Sequence, residues 1–226
     1  MTPLPPTTRA LLFDMDGTMV DSMPAHARSW EVFTRRHGLD IPVDEVLRRT
    51  TGRNGVECIR ELFGPAVDDA RALQLIGEKE AIYRDVFGPA FREVPGFRDV
   101  AALAAAAGLP IAVASAGDRQ NIDFALGHLR LERRPDAVVG GDEGLRGKPE
   151  PDLFLEAARR LGQRPADCVV FEDAPFGIEA ARRAGMPAVA ICTTHGADEL
   201  AGPHVLAHAP DFRTLLAAGF FAAFAR

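Results

Sequence analysis

The sequence predicts an α/β fold: a parallel sheet covered by helices on both faces, with an all-helical segment inserted after the first strand. Three observations carry this. Short, continuously apolar runs alternate with stretches of helical spacing, the rhythm of strand–helix units. One long interval between the first two apolar runs holds helical spacing only. Polar residues collect just after the apolar runs, and in a parallel sheet those ends share one edge, where ligands bind.

The first strand is read at residues 10–13, and further strands at 110–114, 137–139, 168–171 and 188–191. Each is apolar without alternation, so each is expected to be buried on both faces. Helical spacing follows at 100–107, 121–129, 152–161 and 178–184, with Gly108, Gly162 and Gly185 as stop signals. Inside the long interval, 23–37, 56–62 and 70–87 have helical spacing, punctuated by Gly38, Gly52, Gly64 and Gly88. The expected organisation is a core of residues 1–21 and 95–226 and a helical insert of residues 22–94. The apolar tail at 215–224 is expected to pack on the core as a terminal helix.

Bulk properties exclude several function classes. The 226 residues carry 26 basic and 32 acidic side chains, a net charge of −6, which is unsuited to a nucleic-acid partner. No segment offers the roughly 18 apolar residues of a membrane span, and the N-terminus lacks the basic start and apolar middle of a signal peptide. Cys58, Cys168 and Cys192 lie far apart without a paired spacing and are expected to be buried reduced thiols. A cytoplasmic monomer is the expectation.

The strand ends supply the chemistry. Asp14-Met15-Asp16-Gly17-Thr18 follows the first strand, Ser115 the second, and Glu172-Asp173 end the fourth; Lys148 follows the third after a glycine-rich stretch. Carboxylates gathered this closely repel and take up protons unless a cation neutralises them. An all-oxygen donor set suits Mg²⁺, which takes one or two carboxylates plus phosphate oxygens and water. An ionised aspartate can attack phosphorus, a lysine and a serine hydroxyl can hold the non-bridging oxygens, and a second carboxyl two residues on can transfer protons. Gly17 allows a tight turn that brings backbone amides to the phosphate. Taken alone, the Asp-x-Asp-Gly-Thr run is also what an Asx-capped turn looks like; the later strand ends favour the phosphoryl-transfer reading.

With these residues in order, the chain resembles the haloacid dehalogenase superfamily, in the subgroup whose helical cap is inserted after the first strand of a Rossmann-like core. Residues 14–22 fit its first motif, Ser115 the second, Lys148-Pro149-Glu150-Pro151-Asp152 the third, and Glu172-Asp173-Ala174-Pro175-Phe176-Gly177-Ile178 the fourth. The resemblance implies that Asp14 is phosphorylated and that Asp16 is the general acid and base. It implies phosphate binding by Ser115, Ala116, Lys148 and Gly17. It also implies Mg²⁺ on Asp14, on the backbone carbonyl of Asp16 and on Asp173, with Glu172 a ligand or close neighbour. Asp16 and the Glu172-Asp173 pair depart from the true dehalogenases and point to phosphate esters.

Within the subgroup the chain looks most like the β-phosphoglucomutase branch, which holds mutases and sugar phosphatases. His26 stands near the hinge between cap and core, and Lys79 and the loop Gly52-Arg53-Asn54 stand where the branch reads its substrate. Mutases carry a lysine before that glycine and an arginine three residues after it; this chain has Thr51 and Gly55. The expected activity is therefore hydrolysis of a small phosphorylated sugar or related metabolite. Phosphosugar mutase is the first rival and a phospho-accepting receiver module a more distant one.

Overall fold

The computed structural model describes residues 3–50 and 53–224. Six parallel strands run in the order β3-β2-β1-β4-β5-β6: β1 (Ala10–Phe13), β2 (Ile111–Ala114), β3 (Ala137–Val139), β4 (Cys168–Glu172), β5 (Ala188–Ile191) and β6 (Val205–Ala209). The first five match the apolar runs. β6 was not expected from the sequence, because it is an edge strand with a half-buried pattern and a histidine inside it. The strand order reverses at β1, whose neighbours are β2 on one side and β4 on the other, so a crevice opens over the carboxyl end of β1.

β2 and β5 alternate large and small side chains, and the sheet as a whole has a bulky and a smaller face. Leu11, Phe13, Ile111, Val113, Val169, Phe171, Val189 and Ile191 share one face. Ala10, Leu12, Ala112, Ala114, Val170, Ala188 and Ala190 share the other. The alanine-rich face lets α7 (Asp152–Arg160) and α8 (Pro175–Arg183) sit on the sheet through Leu153, Phe154, Ala157, Ala180 and Ala181. The bulky face packs on α5 (Phe97–Ala106), α6 (Arg119–Leu129) and α9 (Phe212–Ala217). There Phe13 stacks on Phe171 at 4.8 Å and meets Phe97 edge-on at 5.2 Å. The tail supplies only the short α9, followed by turns that place Phe220 and Phe221 in this core.

Between β1 and β2 lie α1 (Met23–Arg36), α2 (Val43–Thr50), α3 (Gly55–Phe63), α4 (Asp69–Phe87) and a 3-10 turn at Gly88–Ala90. The α2 helix was not expected, since its apolar positions are few, although its acidic start and basic end suit a helix. Trp30, Phe33, Val46, Cys58, Ile59, Leu62, Leu75 and Ile82 form a separate core among these helices. Further along α4, Tyr83 and Phe87 join the bulky face of the sheet instead. The chain leaves and re-enters side by side, with Asp21 N–H donating to the Arg92 carbonyl at 3.0 Å and Val94 N–H to the Met19 carbonyl at 3.0 Å. Among the described residues, no helix is long and apolar enough to cross a membrane.

The three cysteines are free; Cys58 and Cys168 are buried, whereas Cys192 is only half-buried. Phe13 is fully buried against three other aromatic rings. Phe13→Ala should therefore cost about 3–5 kcal/mol in a urea unfolding experiment, the usual range for emptying a packed aromatic site.

Candidate active site

Register brings the strand ends together. Phe13 pairs with Phe171 across β1 and β4 and with Val113 across β1 and β2. The residues that follow, Asp14, Glu172 and the Ala114–Ser115 corner, therefore meet at one edge. Asp14 N–H donates to the Phe171 carbonyl at 3.0 Å, and Ser115 N–H to the Val139 carbonyl at 3.0 Å. Lys148, from the loop between β3 and α7, reaches in and donates to Asp14 Oδ1 at 2.5 Å and to Glu172 Oε1 at 2.6 Å. It lies 4.9 Å from the centre of the Phe154 ring, so a buried ammonium is held by two carboxylates and an aromatic face.

Both oxygens of Glu172 are engaged. Its Oε2 accepts from the backbone N–H groups of Asp173 and Ala174, each at 2.8 Å, at the start of α8. Gly177 lets that helix approach, since a Cβ there would lie 1.7 Å from Glu172 Oε1. Asp173 accepts from the Thr18 hydroxyl at 3.2 Å on one oxygen and from the Thr194 hydroxyl on the other. Gly17, at φ +82°, turns beneath it; a Cβ there would lie 2.2 Å from Asp173 Oδ2. Thr193 donates to the Gly17 carbonyl at 2.5 Å and locks that turn to the end of β5.

Three buried carboxyls thus face one ammonium. Burial pushes Asp14 well above the usual carboxylate range, Lys148 pulls against it, and the charges of Glu172 and Asp173 add to the rise. Burial and the Glu172 charge push Asp173 up to about 8, against the hydroxyl of Thr194 and the charge of Lys148. Burial by itself would lower Lys148, but Asp14 and Glu172 outweigh it and hold the ammonium above its ordinary value.

Asp16 belongs to a different network. Its Oδ1 accepts from Ser22 Oγ at 2.6 Å, with His26 Nε2 at 3.1 Å and Tyr83 OH at 3.4 Å. Ser22 precedes α1 and spends its hydroxyl on Asp16 rather than on the helix end. Lys79 Nζ is 2.8 Å from His26 Nδ1. A lysine ammonium only donates, so Nδ1 accepts, Nε2 carries the proton, and His26 donates to Asp16. The imidazole also stacks on Tyr83 with ring centres 3.9 Å apart. Burial would raise Asp16, but His26, Ser22 and the Lys79 charge outweigh it and keep the carboxyl below its ordinary value.

A cavity of about 440 Å³ opens above these groups. Asp14, Asp16, Ser115, Ala116, Lys148, Glu172 and Asp173 line its floor, and His26, Arg53, Asn54 and Lys79 line its upper part. Gly17 lies under the floor rather than in the lining, at the turn described above. Asn54 caps α3 through a reciprocal bond with Glu57, and Arg53 stands 3.9 Å from Glu61. Gly52 and Thr51 lie outside the described residues. Sequence reading gave no role to Ser22, Tyr83, Glu80, Asn121, Thr193 or Thr194. The strand-end rule that singled out Ser115 would have found the two threonines had it been extended past β5.

The donors suit a hard divalent cation. Asp14 and Asp173 contribute carboxylates to the floor, and the backbone carbonyl of Asp16 lies in the intervening turn. Charge balance leaves an excess of carboxylate over ammonium for a cation to offset. Among the described residues no three His, Cys, Asp or Glu side chains converge as a ready-made metal cluster. A Mg²⁺ site does not require one, because water and phosphate complete its shell.

Comparison with known proteins places these features. The haloacid dehalogenase-like hydrolase family matches residues 8–185. A validoxylamine A 7'-phosphate phosphatase from Streptomyces hygroscopicus subsp. limoneus is 34% identical over 203 residues, 88% of this chain and 92% of that protein. The fructose-1-phosphate phosphatase YqaB of Escherichia coli is 36% identical, over 79% of this chain and 94% of its own. A hydrolase from Pseudomonas syringae superposes with a TM-score of 0.82 at 25% identity, over 93% of this chain and 97% of its own.

Removing the central cation tests the charge balance. Lys148→Met should destabilise the fold by about 3–5 kcal/mol, the usual result of leaving buried carboxylates without their partner. Carboxyls whose pKa is raised by folding lose stability as pH rises, so urea melts should show a larger deficit at about pH 8 than at about pH 5.

Proposed function

The chain belongs to the haloacid dehalogenase-like hydrolase family, and we propose that it is a Mg²⁺-dependent phosphatase of small phosphorylated sugars or related metabolites, acting through an aspartyl-phosphate on Asp14. The observation that carries this reading is the buried Asp14–Lys148–Glu172 chain at the sheet's edge, open to a cavity into which Asp16 enters on a separate network. The substrate class is carried over from the relatives named for hydrolysing validoxylamine A 7'-phosphate and fructose 1-phosphate. We take residues 22–94 as the cap over residues 1–21 and 95–226.

Asp14 would attack phosphorus in line, while Lys148 and the Ser115 hydroxyl hold the non-bridging oxygens; the Gly17 N–H is not free for this, since it donates to the Val20 carbonyl at 2.8 Å. Asp14, Asp173 and the Asp16 carbonyl would hold Mg²⁺, which when bound supplies the positive charge that keeps both carboxylates ionised and offsets phosphate charge. Glu172 would position Lys148, which donates to its Oε1 at 2.6 Å while two backbone N–H groups hold its Oε2. Asp16 would protonate the leaving oxygen and then take a proton from the attacking water. As held by His26 and Ser22 it is ionised, the form the second step needs. Repulsion from an arriving phosphate dianion favours the protonated form that the first step needs.

A mutase would need cations for a second phosphate. Arg119 is paired with Asp123 at 3.0 Å, Arg84 donates to Asn121 at 2.7 Å, and Arg53 is near Glu61. Asp118 caps α6 by accepting from Asn121 N–H at 2.8 Å, with no basic residue bonded to it among the described contacts. These arrangements favour water over a sugar as the acceptor.

A screen of phosphorylated metabolites with Mg²⁺ should find phosphate release. Asp14→Asn should lower it by about 10³-fold or more and remove the acid-labile phosphoenzyme; substantial turnover in that variant would refute Asp14 as nucleophile. Asp16→Ala should slow both formation and breakdown of the phosphoenzyme in rapid-quench experiments. With β-glucose 1-phosphate and a trace of the bisphosphate, free phosphate is expected; glucose 6-phosphate formed without it would establish the mutase instead.

A further inference from the structure

Helix α6 begins at the end of the Ser115–Asp118 loop, and its first turn carries Asn121. That side chain is buried, at 2% exposure, and it points away from the sheet toward α4. Its Nδ2 donates to Glu80 Oε2 at 2.6 Å, and its Oδ1 accepts from Arg84 Nη1 at 2.7 Å. Glu80 and Arg84 lie one helical turn apart with opposite charges, so they fix which end of the amide faces which. Reversing the amide would turn its oxygen toward a carboxylate and its N–H groups toward a guanidinium.

The bonds continue from there. The second oxygen of Glu80 accepts from Lys79 Nζ at 2.9 Å, Lys79 donates to His26, and His26 donates to Asp16. Lys79 is 2% exposed and lies 4.9 Å from the ring centre of Trp30. An unbroken line of hydrogen bonds therefore joins the first turn of α6 to the Asp16 carboxyl through residues of the helical insert. Asn121 lines the cavity, yet both polar ends of its side chain are engaged with α4.

We propose that Asn121 is a positioning residue, the core's clasp on the helical cap, and that by fixing Glu80 it holds Lys79 and His26 in register with Asp16. Because α6 starts at the phosphate-binding loop, the clasp ties the cap to the segment that meets the phosphate. The consequence for Asp16 rests on the phosphatase reading above; the clasp itself rests only on the geometry of α4 and α6.

An exchange of roles tests this. Asn121→Asp sets a carboxylate against Glu80 and should break the clasp. In the double variant Asn121→Asp/Glu80→Gln the new amide donates to the new carboxylate, its oxygen still accepts from Lys79, and Arg84 keeps an acceptor. With fructose 1-phosphate as the probe substrate, Asn121→Asp should lower kcat about 10- to 100-fold, with a smaller change in KM, and the double variant should return to near wild type. Trp30 is the sole tryptophan, so acrylamide quenching reports the cap directly. Quenching should rise in Asn121→Asp and fall back in the double variant, with circular dichroism showing both variants folded. Wild-type kcat and quenching in Asn121→Asp would overturn the proposal, as would a folded double variant that recovers neither. If the wild type releases no phosphate from any ester, the phosphatase reading falls. Quenching then decides the clasp, and an unchanged value in Asn121→Asp overturns it.

Discussion

Asp14, Glu172 and Asp173 sit where a parallel sheet ends, and burial leaves them facing a single ammonium. Much of the surrounding structure is organised by that imbalance. Lys148 bridges two of the three carboxyls, and the amides at the start of α8 bind the far side of Glu172. Hydroxyls of Thr18 and Thr194 bind Asp173. Each contact lessens the cost of burying a carboxylate, yet the negative charge is not fully matched within the protein.

The sheet makes this imbalance possible. Burying β1 and β4 on both faces fixes their register, and the register sets Asp14 beside Glu172. The alanine side of the sheet brings α7 and α8 close, so Phe154 can lie under Lys148 and Gly177 against Glu172. The phenylalanine side locks β1 to β4 through Phe13 and Phe171. Core packing and site geometry thus share one division of the sheet into a bulky face and an alanine-rich face.

Asp16 follows a separate logic. It is two residues from Asp14 but answers to the helical insert, through Ser22, His26 and Tyr83. The insert has its own apolar core in its upper part and joins the main core at Tyr83 and Phe87. It can therefore act as a body with a firm base. The surroundings of Asp16 and of Asp14 are in this way supplied by different parts of the molecule, which meet at the cavity.

By itself the sequence made the sheet legible, because apolar runs of four or five residues, too short for helices and set between helical stretches, fit strands buried on both faces. Five of the six strands were legible for that reason; the half-buried β6 edge and the polar α2 helix were not. It also determined the floor of the site, since Asp14, Ser115, Lys148 and Glu172-Asp173 occupy strand ends or the loop beside one, and parallel strands bring such ends together. Only the tertiary structure decided the partners of Asp16. The contacts from Asn121 to Glu80 and from Lys79 to His26 join residues 41 and 53 positions apart, on helices whose spacing shows which side is apolar but not which neighbour it meets. Hydrogen bonds across a helix seam depend on axial offset and rotation set by the packing of the whole core, and no local pattern encodes those.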